Sequence, residues 1–341
     1  MTQSDITQNY IVALKDFPDR TQLSISFSRQ GNTAYFGLLK RQDGIIFIDN
    51  ADFAFEIGSV TKVFTGNILA QLVLEGKVGI DDPIQPFLPF PMLGDPPITL
   101  KHLAQHTSGI QRLPHNFHEQ PNYQEENPYA RCREEHFAQY FSTLLTLDNL
   151  PGEKFQYSNL GMSLLSYIIS RIEGKPFPAI VSERVFEQLG MSQSSYDHNT
   201  LTNTIVRGID KDGKFCAHWE AGIYDGALGI ISTAKDLMAF ARWQLDHSSA
   251  ACQYQANQSF TSDANVKSLL GWMENIFISG DKQIRIRNLN GGTGGFGASL
   301  MINPDSDFAL VVVSNCYPYH YLEKIVLVNK QLMLEHSLPS Y

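Results

Sequence analysis

Between positions 21 and 28 the chain alternates, Leu23, Ile25 and Phe27 against Ser24, Ser26 and Ser28. That is the period of a half-buried strand. Gln30-Gly31-Asn32 turns it into a second strand, Ala34 to Leu39, and Asp43-Gly44 turns again into Ile45 to Ile48. After this antiparallel meander the pattern changes. From Ile57 to Leu74 the chain is apolar nearly all round, and Lys62 is the only charged residue. This predicts a buried helix, stopping near Gly76. Asp81-Asp82-Pro83 through Pro97 reads as a proline-rich connection without regular structure. Short and long helices follow at Thr99 to Gln105 and Leu160 to Ile172. Strands recur at Gly271 to Ile278, Gln283 to Leu289, Ala298 to Ile302 and Phe308 to Ser314, and an amphipathic helix, Tyr321 to Glu335, closes the chain.

Strands before and after a helical middle predict an α/β (α+β) fold, an antiparallel sheet flanked by helices and built from both chain ends, with an all-helical inserted lobe. The expected lobes are residues 1–83 with 220–341 for the sheet and 84–219 for the helices, with the active site in the cleft between them. A length of 341 residues, long for one compact core, agrees with two lobes.

Composition narrows the partners. With 26 Lys+Arg against 35 Asp+Glu the net charge is −9, and no basic run is present. This argues against nucleic acid and anionic membranes, and no apolar stretch is long enough to span a bilayer. Met1-Thr2-Gln3-Ser4-Asp5 has neither a basic n-region nor an apolar h-region, so no signal peptide is expected. A cytoplasmic enzyme fits, or a periplasmic one if a leader was removed. Cys132, Cys216, Cys252 and Cys316 are scattered, which predicts free thiols rather than a disulfide or zinc frame. Oligomeric state is not legible.

The start of the apolar helix carries the first candidate chemistry. Ser59 follows Gly58 and reads as an N-cap or first-turn residue, with Lys62 three residues on and on the same face. A serine hydroxyl is a poor nucleophile until a base takes its proton, and lysine is such a base only when neutral, a form that burial favours. By itself the spacing leaves Ser59 open between a nucleophile and a chance match. Ser279-Gly280-Asp281-Lys282 repeats it in a turn, and Ser232-Thr233-Ala234-Lys235 repeats it where Ser232 reads as an N-cap. Tyr157-Ser158-Asn159 is the one Tyr-x-Asn in the chain and follows a Pro151-Gly152 turn. A tyrosine hydroxyl beside a lysine relays a proton, and an asparagine amide orients lysine and substrate; taken alone, Tyr157 reads first as a packed aromatic with a satisfied hydroxyl. His102 and His106 have the spacing of a zinc pair but lack the adjacent glutamate of His-Glu-x-x-His, so they read as packing or polar support. In the 111–135 stretch, His115, His118, Glu119, Glu125 and Glu126 read as a solvated excursion, with a functional loop as the other reading.

Taken together, Phe55-Glu56-Ile57-Gly58-Ser59-Val60-Thr61-Lys62, then Ile98 to Gly109, then Pro151-Gly152 to Tyr157-Ser158-Asn159-Leu160-Gly161 resemble successive signatures of one family. It is the family of serine hydrolases that includes class C β-lactamases, DD-peptidases and family VIII carboxylesterases, and the resemblance runs from about Ser24 to about Val313. It implies a β-lactamase/transpeptidase-like fold, an acyl-enzyme on Ser59, proton work shared by Lys62 and Tyr157, substrate contact at Asn159, and no cofactor or metal.

Gly292, Gly294 and Gly297 match a dinucleotide fingerprint, but a strand follows them where that fingerprint needs a helix. The resemblance gives this stretch another meaning, one wall of the site. In the family the strand carries Lys or His, then a second residue, then Gly; here these are Leu289, Asn290 and Gly291. An N–H near Gly292 then joins that of Ser59 as an oxyanion hole. Leucine at 289 offers no charge to a substrate carboxylate. The expected activity is therefore a carboxylesterase on small neutral esters. A β-lactamase, a D-Ala-D-Ala peptidase and a non-catalytic binding protein of the same fold are the alternatives. If carboxylate-bearing substrates are preferred, Arg112 or Arg287 must supply the positive charge.

Overall fold

The computed structural model describes residues 3–121, 123–279, 281–316 and 318–337. Helix α1 (Gln3–Leu14) leads into the meander β1 (Gln22–Arg29), β2 (Asn32–Arg41) and β3 (Gly44–Ile48). Strand β4 (Ala54–Glu56) then hands the chain to α2 (Thr61–Leu74). The helical middle holds α3 (Leu100–Ala104), α4 (Glu134–Gln139), α5 (Asn159–Glu173), α6 (Phe177–Val181) and α7 (Glu187–Leu189). Strand β5 (Ile231–Thr233), α8 (Ala234–Leu245) and α9 (Ala250–Asn257) return it to β6 (Phe260–Asp263), β7 (Val266–Ser268) and β8 (Met273–Ser279). Strands β9 (Lys282–Gly292), β10 (Gly297–Asn303) and β11 (Phe308–Ser314) and helix α10 (Pro318–Ser337) complete the chain.

Nine strands form one antiparallel sheet in the order β3-β2-β1-β11-β10-β9-β8-β7-β6. The two chain ends meet where β1 pairs with β11, from Leu23↔Ser314 to Arg29↔Phe308. The expected antiparallel sheet, flanked by helices and closed from both ends, is the observed one. Strands β10 and β11 are buried at every position, which explains the unbroken apolar run from Phe308 to Val313 in β11. On one face α1 and α10 place Ile6, Tyr10, Leu14, Ile325 and Leu332 against Ile25, Leu310 and Val312. On the other, a continuous core runs from Leu300 and Val311 through α2 into α5. Phe64 and Phe240 stack there, 3.8 Å between ring centroids.

Four local expectations change. Ser24, Ser26 and Ser28 face protein, not water. Ser24 Oγ donates to Asn50 O and Ser26 Oγ to Ala234 O, both at 3.0 Å, so β1 is buried on both faces and its serines are small, satisfied spacers. Strand β9 continues past Leu289 through Gly291 and Gly292, because β10 keeps pairing with it there. In the 111–135 stretch His115, His118, Glu119, Glu125 and Glu126 are exposed, but Phe117, Tyr129 and Cys132 turn inward and join the main core. The proline-rich connection contains one short turn of helix, Gln85–Phe87. Among the described residues no helix is long and apolar enough to cross a membrane.

Candidate active site

Ser59 lies in a tight turn, Gly58–Val60, just ahead of α2, and its hydroxyl caps nothing. This corrects the N-cap reading, and it leaves the hydroxyl partly exposed and available. Gly58 has φ +48°, and a Cβ there would stand 2.7 Å from Gly292 N. A Cβ on Gly291 would stand 1.9 Å from Ile57 O and 2.8 Å from Ser59 N. Only glycines let the end of β9 lie this close against the Ser59 turn.

Lys62 is 0% exposed, with Nζ 3.0 Å from Ser59 Oγ and donating to Ala227 O at 2.7 Å. Burial first, and then the charge of Arg112, hold the amine well below its usual range. No acid is among the charges acting on it. The carbonyl that orients it sits in a braced turn. Thr65 Oγ1 donates to Gly226 O at 2.7 Å, and Ser166 Oγ donates to Asp225 Oδ1 at 2.8 Å. Burial raises the Asp225 carboxyl to about 7.

Tyr157 comes to the same point from the loop ahead of α5. Ser158 caps that helix, accepting from Gly161 N at 2.8 Å and donating to Gln111 O at 2.7 Å, which fixes the residue before it. The Tyr157 hydroxyl is hydrogen-bonded to Ser59, and its ring centroid lies 4.9 Å from Lys62 Nζ. Burial pushes its hydroxyl up to about 12, against the opposing pull of the Ser59 contact and of Arg112. Arg112 Cζ stands 5.1 Å from the same ring centroid. His106 packs against it at 4.6 Å and accepts from Ser158 N at 3.2 Å. Burial, with Lys62 and Arg112 nearby, lowers His106 to about 3, so it stays neutral. His102 is engaged elsewhere, its Nδ1 accepting from Thr99 N at 3.3 Å in a cap on α3. Among the described residues no group of three or more His, Cys, Asp or Glu is arranged to hold a metal.

Asn159 Nδ2 donates to Tyr129 OH at 3.2 Å, and its Oδ1 is buried without a partner. Asn290 Oδ1 is likewise buried and unpartnered. Such acceptors are destabilising by about 1–3 kcal/mol until something donates to them. Leu289 is 6% exposed and belongs to the main core, so it gives the site apolar backing rather than an exposed surface. Arg287 Nε is 3.0 Å from Glu274 Oε2, both side chains buried, so its charge is already matched. The competing serines are elsewhere. Ser232 is 0% exposed and hydrogen-bonded to Ser194 at 2.8 Å, and Thr233, not Ser232, caps α8. Ser279 closes β8, paired with Lys282 across the turn.

Two features escape a reading by motif. The Ala227 carbonyl leaves no trace in side-chain identity. Glu56 does leave one, as a charge between Phe55 and Ile57. Its Oε1 accepts from Trp219 N at 3.1 Å and pairs with His218 Nδ1 at 2.8 Å, and His218 stacks on Phe296 at 5.6 Å. That pair ties the approach to Ser59 to the glycine turn after β9.

The beta-lactamase family model matches residues 15–324. The D-alanyl-D-alanine-carboxypeptidase/endopeptidase AmpH of Escherichia coli (strain K12) is 30% identical over 213 residues, which cover 61% of this chain and 52% of that protein. Protein flp of Staphylococcus aureus is 23% identical over 299 residues, 82% of this chain and 56% of that protein. The chain thus spans about half the length of these relatives. Among solved structures, a beta-lactamase/D-alanine carboxypeptidase from Pseudomonas syringae superposes with a TM-score of 0.80 at 19% identity, covering 98% of this chain and 99% of that one. A class C beta-lactamase does so at 0.79 and 18% identity, covering 100% and 98%. At such identity these two speak for the fold alone. The family match spans nearly the whole chain, and on that ground the protein belongs to the beta-lactamase family of serine hydrolases.

Proposed function

We propose that this protein is a carboxylesterase working through an acyl-enzyme on Ser59, in the cleft between a sheet lobe (1–83 and 220–341) and a helical lobe (84–219). The observation that carries the reading is the buried, acid-free Lys62 amine 3.0 Å from Ser59 Oγ. Neutral Lys62 takes the Ser59 proton as the oxygen attacks the acyl carbon. The N–H groups of Ser59 and of the strand end near Gly292 receive the developing oxyanion. Tyr157 passes the proton to the departing oxygen, and water reverses these steps to free the acid. Asn159 and Asn290 offer their unpartnered oxygens to substrate donors. The acyl half is small and neutral, because the strand beside it brings apolar Leu289 and no free cation.

Mass spectrometry after a fluorophosphonate tests the nucleophile. The adduct is expected on the Ser59 peptide, and labelling at Ser232 instead would overturn the assignment. Activity of the purified protein on p-nitrophenyl acyl esters, nitrocefin and D-Ala-D-Ala peptides then separates esterase from lactamase and peptidase. Leu289→Lys is expected to lower the melting temperature and to leave the ratio of kcat/KM for nitrocefin over p-nitrophenyl butyrate near the wild-type value, because position 289 is 6% exposed in the core and burial disfavours a charged lysine. A wild-type protein that already favours the lactam would remove the premise.

A further inference from the structure

We propose that Asp225 is a positioning residue that works as the protonated acid, holding the Ala227 carbonyl against Lys62, and that loss of its proton loosens the site. The proposal rests on the acyl-enzyme reading above and adds a controlling group to it. A neutral lysine reaches Ser59 through its single lone pair, so its N–H groups must be held still. The Ala227 carbonyl accepts from Nζ at 2.7 Å. That carbonyl stands two residues after Asp225, in a turn seated directly on α5. A Cβ on Gly226 would stand 2.3 Å from Ser166 Cβ and 2.8 Å from Met162 O.

Ser166 Oγ joins turn and helix. It lies 3.1 Å from Gly226 N, 3.0 Å from Ser163 O and 2.8 Å from Asp225 Oδ1. A hydroxyl has one proton and two lone pairs. Gly226 N–H takes one lone pair, and Ser163 O, a pure acceptor, takes the proton. All three contacts are then satisfied together only if Asp225 brings a proton of its own to the second lone pair. Drawn from Ser166 to an ionised Asp225, the same 2.8 Å bond takes the only proton and leaves Ser163 O without it. The carboxylate would also lie in the turn without a matching cation. The ionisable groups around it are Tyr196, Tyr167 on α5, Glu220, and Cys132, Arg133 and Glu134 about the start of α4. Arg133, the one cation of these, donates from Nη1 to Ala130 O and Cys132 O. All but Tyr196 border a shallow surface hollow with Asp225, through which protons come and go. Burial is the largest influence on the carboxyl and holds it at about 7, against hydrogen bonds from Ser166 and from the Gly226 and Asp225 N–H groups.

The rate at which a neutral fluorophosphonate labels Ser59, followed across pH, decides it. Asp225→Ala should label more slowly than the wild type at low pH. Asp225→Asn keeps a donor for Ser166 and should recover that loss. Because asparagine cannot ionise, the ratio of its rate to the wild-type rate should rise about tenfold as pH passes about 7, the scale of one lost hydrogen bond. A ratio flat in pH would overturn the proposal and leave Asp225 a plain brace. Melting gives a second readout that does not involve Ser59. A carboxyl raised in the fold destabilises the wild type as pH climbs from the ordinary carboxylate range to about 7. The Tm difference between either variant and the wild type should therefore move in the variant's favour across that window and level off above it. A difference that ignores pH would rule out the protonated acid. If Ser59 is never labelled, the acyl-enzyme reading fails and takes the positioning role with it; if it is labelled and the ratio is flat, only the Asp225 proposal fails.

Discussion

Lys62→Ala is expected to lower kcat/KM for an ester about 10²–10⁴-fold, the usual contribution of a positioned general base. The wild-type rate should climb with pH as Lys62 loses its proton, because only the neutral amine accepts one from Ser59. That limb should lie well below the ordinary lysine range, since burial and Arg112 both disfavour the ammonium. Alanine should abolish the limb along with the rate. Tyr157→Phe should fall in the same range for a different reason. Its hydroxyl is held up to about 12, so at neutral pH it enters protonated, as a relay after Lys62 has acted. Phenylalanine keeps the ring that Lys62 and Arg112 pack against and removes only the relay. Near-native turnover of well-folded Lys62→Ala, with the same pH limb, would end this account.

Gly291→Ala should be nearly as damaging, with a loss of about 10²–10³ in kcat if the oxyanion hole is displaced. The new methyl meets Ile57 O and Ser59 N, both backbone atoms with no flexible end to swing aside. Either the β9 terminus or the Ser59 turn must move, and each carries one side of the expected hole. Circular dichroism should be close to wild type, because Gly291 stands next to the last position of β9 and the rest of the ladder is untouched. An alanine variant with unchanged kcat would show that the strand end takes no part in binding the oxyanion.

What the chain could tell in advance followed from short-range periodicity. Alternation in 21–28 and the uniform apolarity of 57–74 gave a meander and a buried helix, since these patterns record which faces of one element meet protein. They did not record what covers those faces. Of the serines that suggested a wet side of β1, Ser26 lies against the start of α8, small enough for Ala234 to approach, and Ser24 against Asn50. Helix α1 went unread, although Ile6, Tyr10 and Leu14 stand at turn spacing, because only their burial gives the pattern meaning.

The candidate chemistry divides along the same line. Ser59, Lys62, Tyr157 and Asn159 were legible because their identities and local spacing survive in the chain. The state of Lys62 was not. Its lowered pKa depends on complete enclosure and on Arg112, and its aim on the Ala227 carbonyl, groups that arrive from distant segments. Nor was the meaning of Leu289 complete in sequence, because the missing strand cation gains its consequence only once Arg287 is seen against Glu274. Sequence alone determined the main strands and helices and the candidate groups, because both rest on neighbours a few residues apart. The tertiary structure decided protonation, reach and charge balance, because desolvation and Coulomb forces act through space and depend on whatever the fold brings near.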